Sequence, residues 1–167
     1  ALWLERSIEY HLLANHLFKN AKALLFAGLF FEGPVGLRWR ETAQRLLRRE
    51  IAEQILPDGG HFERSPMYHS MILEDCLDLY NVCAGHDDAA VRAFAGLLPD
   101  RIERMITFLR GMSHPDGQIA LFNDAAFGIA PEPAVLVGAA SAAIIGDGIA
   151  AEAAPTGAPT AAPTGAP

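Results

Sequence analysis

The sequence predicts an all-α fold built of antiparallel helical hairpins. Apolar residues recur at helical spacing through most of the chain, and the segments they mark are joined by short Gly, Pro and Asp turns. Only one short stretch, "QIALF", reads as extended. Spacing alone leaves open whether the hairpins close into a bundle or form part of an α/α toroid.

Residues 1–31 are helical in composition, with Leu12, Leu13, Leu17, Leu24, Leu25 and Phe26 supplying apolar stripes. Asn15 interrupts them, either capping a second helix from about His16 or projecting from one long helix. "EGPVG" breaks the chain, and the next helix is predicted from Leu37 to Leu56. Trp39, Ala43, Leu46, Leu47, Ile51 and Ile55 form its buried stripe. Its arginines, Arg38, Arg40, Arg45, Arg48 and Arg49, interleave with Glu41, Glu50 and Glu53, which predicts i,i+4 pairs on a solvated face.

"PDGG" ends that helix. The following one starts with Ser65 as N-cap and Pro66 at the first helical position, and continues through Leu73, Cys76, Leu77, Tyr80 and Cys83. "AGHDD" is a turn with an N-cap aspartate. The helix after it is interrupted at Pro99, and Ile102, Met105, Ile106 and Leu109 then give the clearest amphipathic signal in the chain. "HPDG" is a turn, "NDAAFG" a polar loop, and a last helix restarts at Pro133. From about Ile144 the chain passes into an "APTG" repeat with little to bury, so 1–143 is expected to form the domain and 144–167 a disordered tail.

The chain has 167 residues, and its net charge of −7 argues against a nucleic-acid partner while leaving room for a local basic groove. Cys76 and Cys83 lie on one helix, roughly 10 Å apart along its axis, too far for a disulfide. No apolar run is long enough to span a membrane, and no signal peptide is visible. The chain opens on "ALWLERSIEY", inside a helix and without Met, so the natural N-terminus is expected to lie upstream. Phosphate-loop, nucleophile-elbow and HExxH motifs are absent.

The chemistry concentrates in "DGGHFERSPMYHS". With Ser65 as cap, Tyr68 is the third helical residue, where the helix dipole favours an anionic side chain. Arg64, His61 and His69 are close in sequence, and a cation beside a phenol lowers its pKa from about 10, as a tyrosine base requires. The plainer reading is a ring half-buried at a helix start. His61, Glu63 and His69 have a spacing that three metal ligands can adopt, but nothing completes a second shell, so no metal is expected. Asn15 costs helix propensity amid apolar residues, which either a cap or a substrate contact explains. Asn123 and Asp124 belong to a turn or to the lining of a cleft.

Taken together, "EYHLLANHLFKNAKALLFAGLFFEG", "EQILPDGGHFERSPMYHSMILEDCLDL" and "HPDGQIALFNDAAFGIAPEP" resemble the helical half of the heparinase II/III-like polysaccharide lyases, in the same order from residue 1 to about 137. The resemblance implies an incomplete α/α toroid, followed in family members by a β-sandwich, with the substrate cleft between them. It implies β-elimination of a uronic-acid-containing polysaccharide, heparan-sulfate-like or alginate-like. Asn15 would neutralise the substrate carboxylate, and Tyr68 would remove or return the proton. His16, Arg64, His69 and Asn123 would surround the same groove.

The resemblance also sets expectations about the parent protein. A further catalytic histidine, and often a structural metal, belong to the β-sandwich half, which this chain does not contain. The chain is therefore expected to be a piece of such a lyase, or one whose frame diverges after about residue 137. Alone it is expected to be weakly active or inactive, with an acidic polysaccharide as partner, no cofactor of its own, and neither nucleic acid nor membrane as partner. The family implies a periplasmic or secreted location. Two rivals remain: a non-catalytic carbohydrate-binding or protein-interaction module, and a hydrolase needing two facing carboxylates. For the hydrolase only Glu63, Glu74 and Asp75 are near, and the last two are expected on the solvated side of their helix.

Overall fold

The computed structural model describes residues 1–12 and 14–152, and these fold into seven helices: α1 (Leu2–Arg6), α2 (Asn15–Phe30), α3 (Gly33–Gln54), α4 (Pro66–Cys83), α5 (Ala89–Ala95), α6 (Pro99–Gly111) and α7 (Pro133–Glu152). No strand is present among the described residues; the only sheet-like pairings are isolated bridges, Ile55 with His61 and Ser113 with Ile119. "QIALF" is thus a single bridge rather than a strand.

α2 and α3 make the most extensive helix pairing. Their connection, Phe31–Glu32, is too short for anything but an antiparallel hairpin. Gly28 and Gly36 let the two backbones meet. A Cβ on Gly28 would sit 2.7 Å from the Arg40 nitrogen, and one on Gly36 would overlap the Phe31 carbonyl. α4 is the central element, packing on α2, α5, α6 and α7. The predicted stripes of α3, α4 and α6 are buried, with Leu47, Leu73, Cys76, Ile102, Met105 and Leu109 fully inside. Both cysteines are buried free thiols.

Several boundaries differ from expectation. Residues 1–31 are not one helical run. α1 stops at Arg6, and the chain turns until Ala14, leaving Leu12 exposed; Leu13 lies outside the described residues. "EGPVG" starts a helix rather than breaking one: Pro34 sits in the first turn of α3, where its missing N–H has no intrahelical partner to lose. α7 continues to Glu152, past residue 144, as its alanine-rich sequence permits. The rest of the expected tail lies outside the described residues.

The arginines of α3 do not form i,i+4 pairs. Arg38 pairs with Glu5 of α1, Arg40 with Asp88 at 3.6 Å, and Arg49 with its neighbour Glu50. Asp75 is not solvated either. It is fully buried, and its Oδ1 receives both Lys19 Nζ and Lys22 Nζ at 2.7 Å. This inter-helix clamp between α2 and α4 commits Asp75 to the two lysines.

Candidate functional site

The site is assembled where the α3–α4 connection folds back on α6. Gly59 has φ +87° and lies against the Arg104 carbonyl, where a Cβ would clash. Asp58 Oδ1 accepts a hydrogen bond from the Gly60 N–H at 2.9 Å, closing the turn. The "PDGG" segment therefore holds His61 and everything after it close to α6. Ser65 takes the predicted N-cap position before Pro66, but its side chain makes no cap hydrogen bond; Oγ is buried without a partner. Tyr68 is the third residue of α4, as expected.

Gln54 ties this connection to the start of α2. The residue is fully buried at the end of α3, and its Nε2 donates to the Ala14 carbonyl at 2.9 Å and to Glu50 Oε2 at 2.8 Å. Both of those atoms are acceptors, so the amide oxygen must face His61 Nε2, 3.0 Å away. His61 therefore carries its proton on Nε2. Its Nδ1 is bare and lies 3.6 Å from Glu63 Oε2.

Ala14, immediately before Asn15, has φ 69°, Arg64, before the cap of α4, has φ 57°, and Asn123 has φ 54°. Among the described residues these are all the non-glycine positions with positive φ, and each is a predicted site residue or the neighbour of one. Such conformations persist only where surrounding contacts impose them, and they concentrate at functional sites. Here the contacts are visible. Gln54 holds the Ala14 carbonyl, and Asn123 Nδ2 donates to the carbonyls of Glu63 and Arg64 at 3.2 and 2.8 Å. Asn123, expected to touch substrate, thus spends its amide N–H groups on pinning the 122–128 loop to the Tyr68 segment.

The electrostatics around Tyr68 reverse the expectation of a depressed pKa. The charge of Asp124, then burial, then the charge of Glu63 hold the phenol above its ordinary range. Arg64 is close in sequence, but Asp124, brought in by the 122–128 loop, and its own neighbour Glu63 set the local field. Glu63 is itself pushed up, by burial first and then by Asp124, with His16 opposing. His16, Glu63, Asp124 and Tyr68 are thus electrostatically linked. His16 is exposed on α2, with Nδ1 3.7 Å from Glu9 Oε2. Asn15 does not cap α2; it is the first helical residue, half-buried, and Ala14 holds the cap position. Among the described residues no hydrogen bond joins Asn15 to Tyr68.

His69 is buried rather than displayed, with Nε2 donating to the Met105 carbonyl at 3.0 Å and its ring 5.1 Å from that of Phe108. Burial pushes both His61 and His69 down to about 4, so both are neutral at ordinary pH. A cavity of about 450 Å³ opens beside them, lined by Arg64, His69 and Asn123 from the predicted set, and by His61, Ser65, Phe108 and Phe122. Asn15, His16 and Tyr68 are not among its walls. No group of three His, Cys, Asp or Glu residues that could hold a metal occurs among the described residues. Among the described residues no helix is long and apolar enough to cross a membrane.

Sequence reasoning passed over Gln54 as a functional residue and underrated Asp124. Gln54 carried a signal, since it is a polar residue at stripe spacing from Ile51, where a side chain must be buried and bonded.

Comparison with known proteins places these features in a family. A model of the "Heparinase II/III N-terminus" matches residues 1–130. A heparin-sulfate lyase of Bacteroides stercoris is 34% identical over 122 residues, covering 70% of this chain and 17% of the relative. One from Pedobacter heparinus is 33% identical over 119 residues, covering 71% of this chain and 18% of the relative. Among solved structures, heparan sulfate lyase HepC from Pedobacter heparinus superposes with a TM-score of 0.56 at 29% identity, over 70% of this chain and 18% of that one. A heparinase III structure gives 0.53 at 29% identity, over 69% and 17% of the two chains. The chain thus spans less than a fifth of the length of the relatives it matches.

Proposed function

The chain belongs to the heparinase II/III family, and on that premise we propose that it forms the helical-toroid part of a lyase that cleaves a uronic-acid-containing polysaccharide by β-elimination. The observation that carries the reading is the placement of backbone strain. Positive-φ residues stand at Ala14, Arg64 and Asn123, beside the two residues assigned to the chemistry and on the loop that meets them. Heparan-sulfate-like substrates fit the named activities of the relatives, and alginate-like uronates share the same chemistry.

In this reading Asn15 donates its amide N–H to the substrate carboxylate. Removing the proton alpha to that carboxylate places negative charge on its oxygens, and a preorganised donor lowers the cost. The electron pair left at C5 forms the C4–C5 double bond as the C4–oxygen bond breaks. Tyr68 supplies a proton to the departing glycosidic oxygen. Its raised pKa keeps the phenol protonated, which suits the donor role. The C5 proton is taken by the Tyr68 phenolate, formed once the phenol has passed its own proton to the neighbouring Asp124 carboxylate, and the phenol so re-formed is the donor to the leaving oxygen. His16, Arg64, His69 and Asn123 line or shape the surrounding groove.

The test uses a full-length protein that contains this segment, assayed by ultraviolet absorbance of the unsaturated uronate product. Tyr68→Phe and Asn15→Ala are each expected to lower turnover by roughly 10²- to 10³-fold; near-parental rates would remove the assigned roles. A second reading, sugar binding without turnover, has its own support, since this chain carries an aromatic-walled cavity. Oligosaccharide affinity of a full-length protein that forms no unsaturated product would favour it.

A further inference from the structure

Gln54, the last residue of α3, bonds both segments that carry the assigned chemistry. Its Nε2 donates to the Ala14 carbonyl, 40 residues earlier, at 2.9 Å, and its amide oxygen accepts from His61 Nε2, 7 residues later, at 3.0 Å. Glu50 Oε2, 2.8 Å from the same Nε2, takes the second amide proton and fixes which way the side chain is turned. Gln54 has no exposed surface, so it meets no substrate itself and acts only through the groups it holds.

The carbonyl that Gln54 holds belongs to the peptide joining Ala14 to Asn15. Ala14 has φ 69° and ψ −140°, the mirror image of the extended polyproline region, which glycine adopts readily and a residue with a Cβ does not. Left to itself an alanine would return to negative φ and swing that peptide, carrying Asn15 with it. The same carbonyl accepts from the Phe18 N–H at 3.3 Å and so closes the first turn of α2, which has no side-chain cap of its own. Gln54 therefore supplies, from α3, the contact that keeps the start of α2 in its strained form. On the other side, His61 opens the run that holds Glu63, Arg64 at φ 57° and Tyr68.

We propose that Gln54 is a positioning residue for the elimination: by bonding the Ala14 carbonyl and His61 at once, it sets Asn15 in register with the Tyr68 segment. The inference rests on the lyase reading of the chain and deepens it. An amide that stabilises charge as it develops works only in place, and a misplacement of about 1 Å can lower a rate by roughly 10²-fold.

The experiment places Gln54→Met, which nearly keeps the volume and loses both bonds, in a full-length protein that contains this segment. Its kcat is expected to fall roughly 10- to 10²-fold with KM within about threefold, because the Asn15 contact strengthens as charge develops. Ala14→Gly removes the strain at positive φ, so by itself it should raise the melting temperature. In that background Gln54→Met should lower kcat by only about threefold, since glycine does not pull the peptide away. A merely structural glutamine would give the same loss in both backgrounds. In the 167-residue chain, Gln54→Met should also move the Ala14 carbonyl ¹³C and Asn15 side-chain ¹⁵N resonances. Parental kcat in folded Gln54→Met, equal losses in the two backgrounds, unmoved Asn15 resonances, or a Gln54→Met protein that folds in neither background would each overturn the assignment. Tyr68→Phe and Asn15→Ala report separately. If they lose turnover while Gln54→Met keeps it, only the positioning role fails; if they keep it, the lyase reading itself fails.

Discussion

At the start of α4 the phenol of Tyr68 has carboxylates for neighbours, Asp124 ahead of Glu63, and their charge holds its pKa above the ordinary phenol range. Replacing Asp124 with Asn removes the larger influence and leaves the loop, which Asn123 pins independently. The Tyr68 pKa is then expected to fall, read from the ¹³C shift of labelled tyrosine against pH. An unchanged titration would mean that burial, not charge, governs this group. Gln54 is the other decisive residue. Its amide bonds the Ala14 carbonyl, Glu50 and His61, so Gln54→Ala strands several buried polar groups at once. A loss of about 2–4 kcal/mol is expected from denaturant melts, and a loss below ~1 kcal/mol would show that the network is dispensable.

At the scale of elements, α2 and α4 are joined by charge as well as by apolar packing. Asp75 is fully buried between Lys19 and Lys22, and Lys22 is itself mostly covered. Removing the acid leaves Lys22 with only the half-exposed Asp78 as partner, so Asp75→Ala is expected to cost about 2 kcal/mol in chemical denaturation. A variant as stable as the parent would show that the lysines simply swing to solvent. The α2–α3 crossing depends instead on absent side chains. Gly36→Ala drives a Cβ into the Phe31 carbonyl, so it should destabilise by more than the ~1 kcal/mol that helix propensity alone would return. A stabilised variant would mean that the hairpin can open there freely.

For the molecule as a whole, acid stability is set by His61 and His69. Both have folded pKa values of about 4, below the ordinary 6.5. Between those values the unfolded chain binds more protons, so stability is complete above about pH 6.5 and falls as pH drops towards 4. The full loss is on the order of 3 kcal/mol for each histidine. Denaturant midpoints measured across that range should decline, and a flat profile would show that these rings are not buried neutral. Catalysis belongs to the same scale. The chain covers 17–18% of its lyase relatives, so turnover by the isolated chain should be weak or undetectable. Strong formation of unsaturated uronate by it would overturn that expectation.

The helices were legible in the sequence because their signals are local. Stripe spacing located α3, α4 and α6, Pro66 marked the first residue of α4, and Asp88 was recognisable as a cap, its Oδ1 accepting from the Ala90 N–H at 2.8 Å. The family was legible too, because its motifs survive as short strings in fixed order. The field at Tyr68, the burial of Asp75 and His69, and the Gln54 link from Ala14 to His61 were not. Each depends on a partner brought from a distant part of the chain, and Coulomb and desolvation energies follow distance in space rather than in sequence. By itself the sequence determined which segments are helical and which residues are available for chemistry. Only the tertiary structure decided which charges stand beside them, because packing chooses the neighbours.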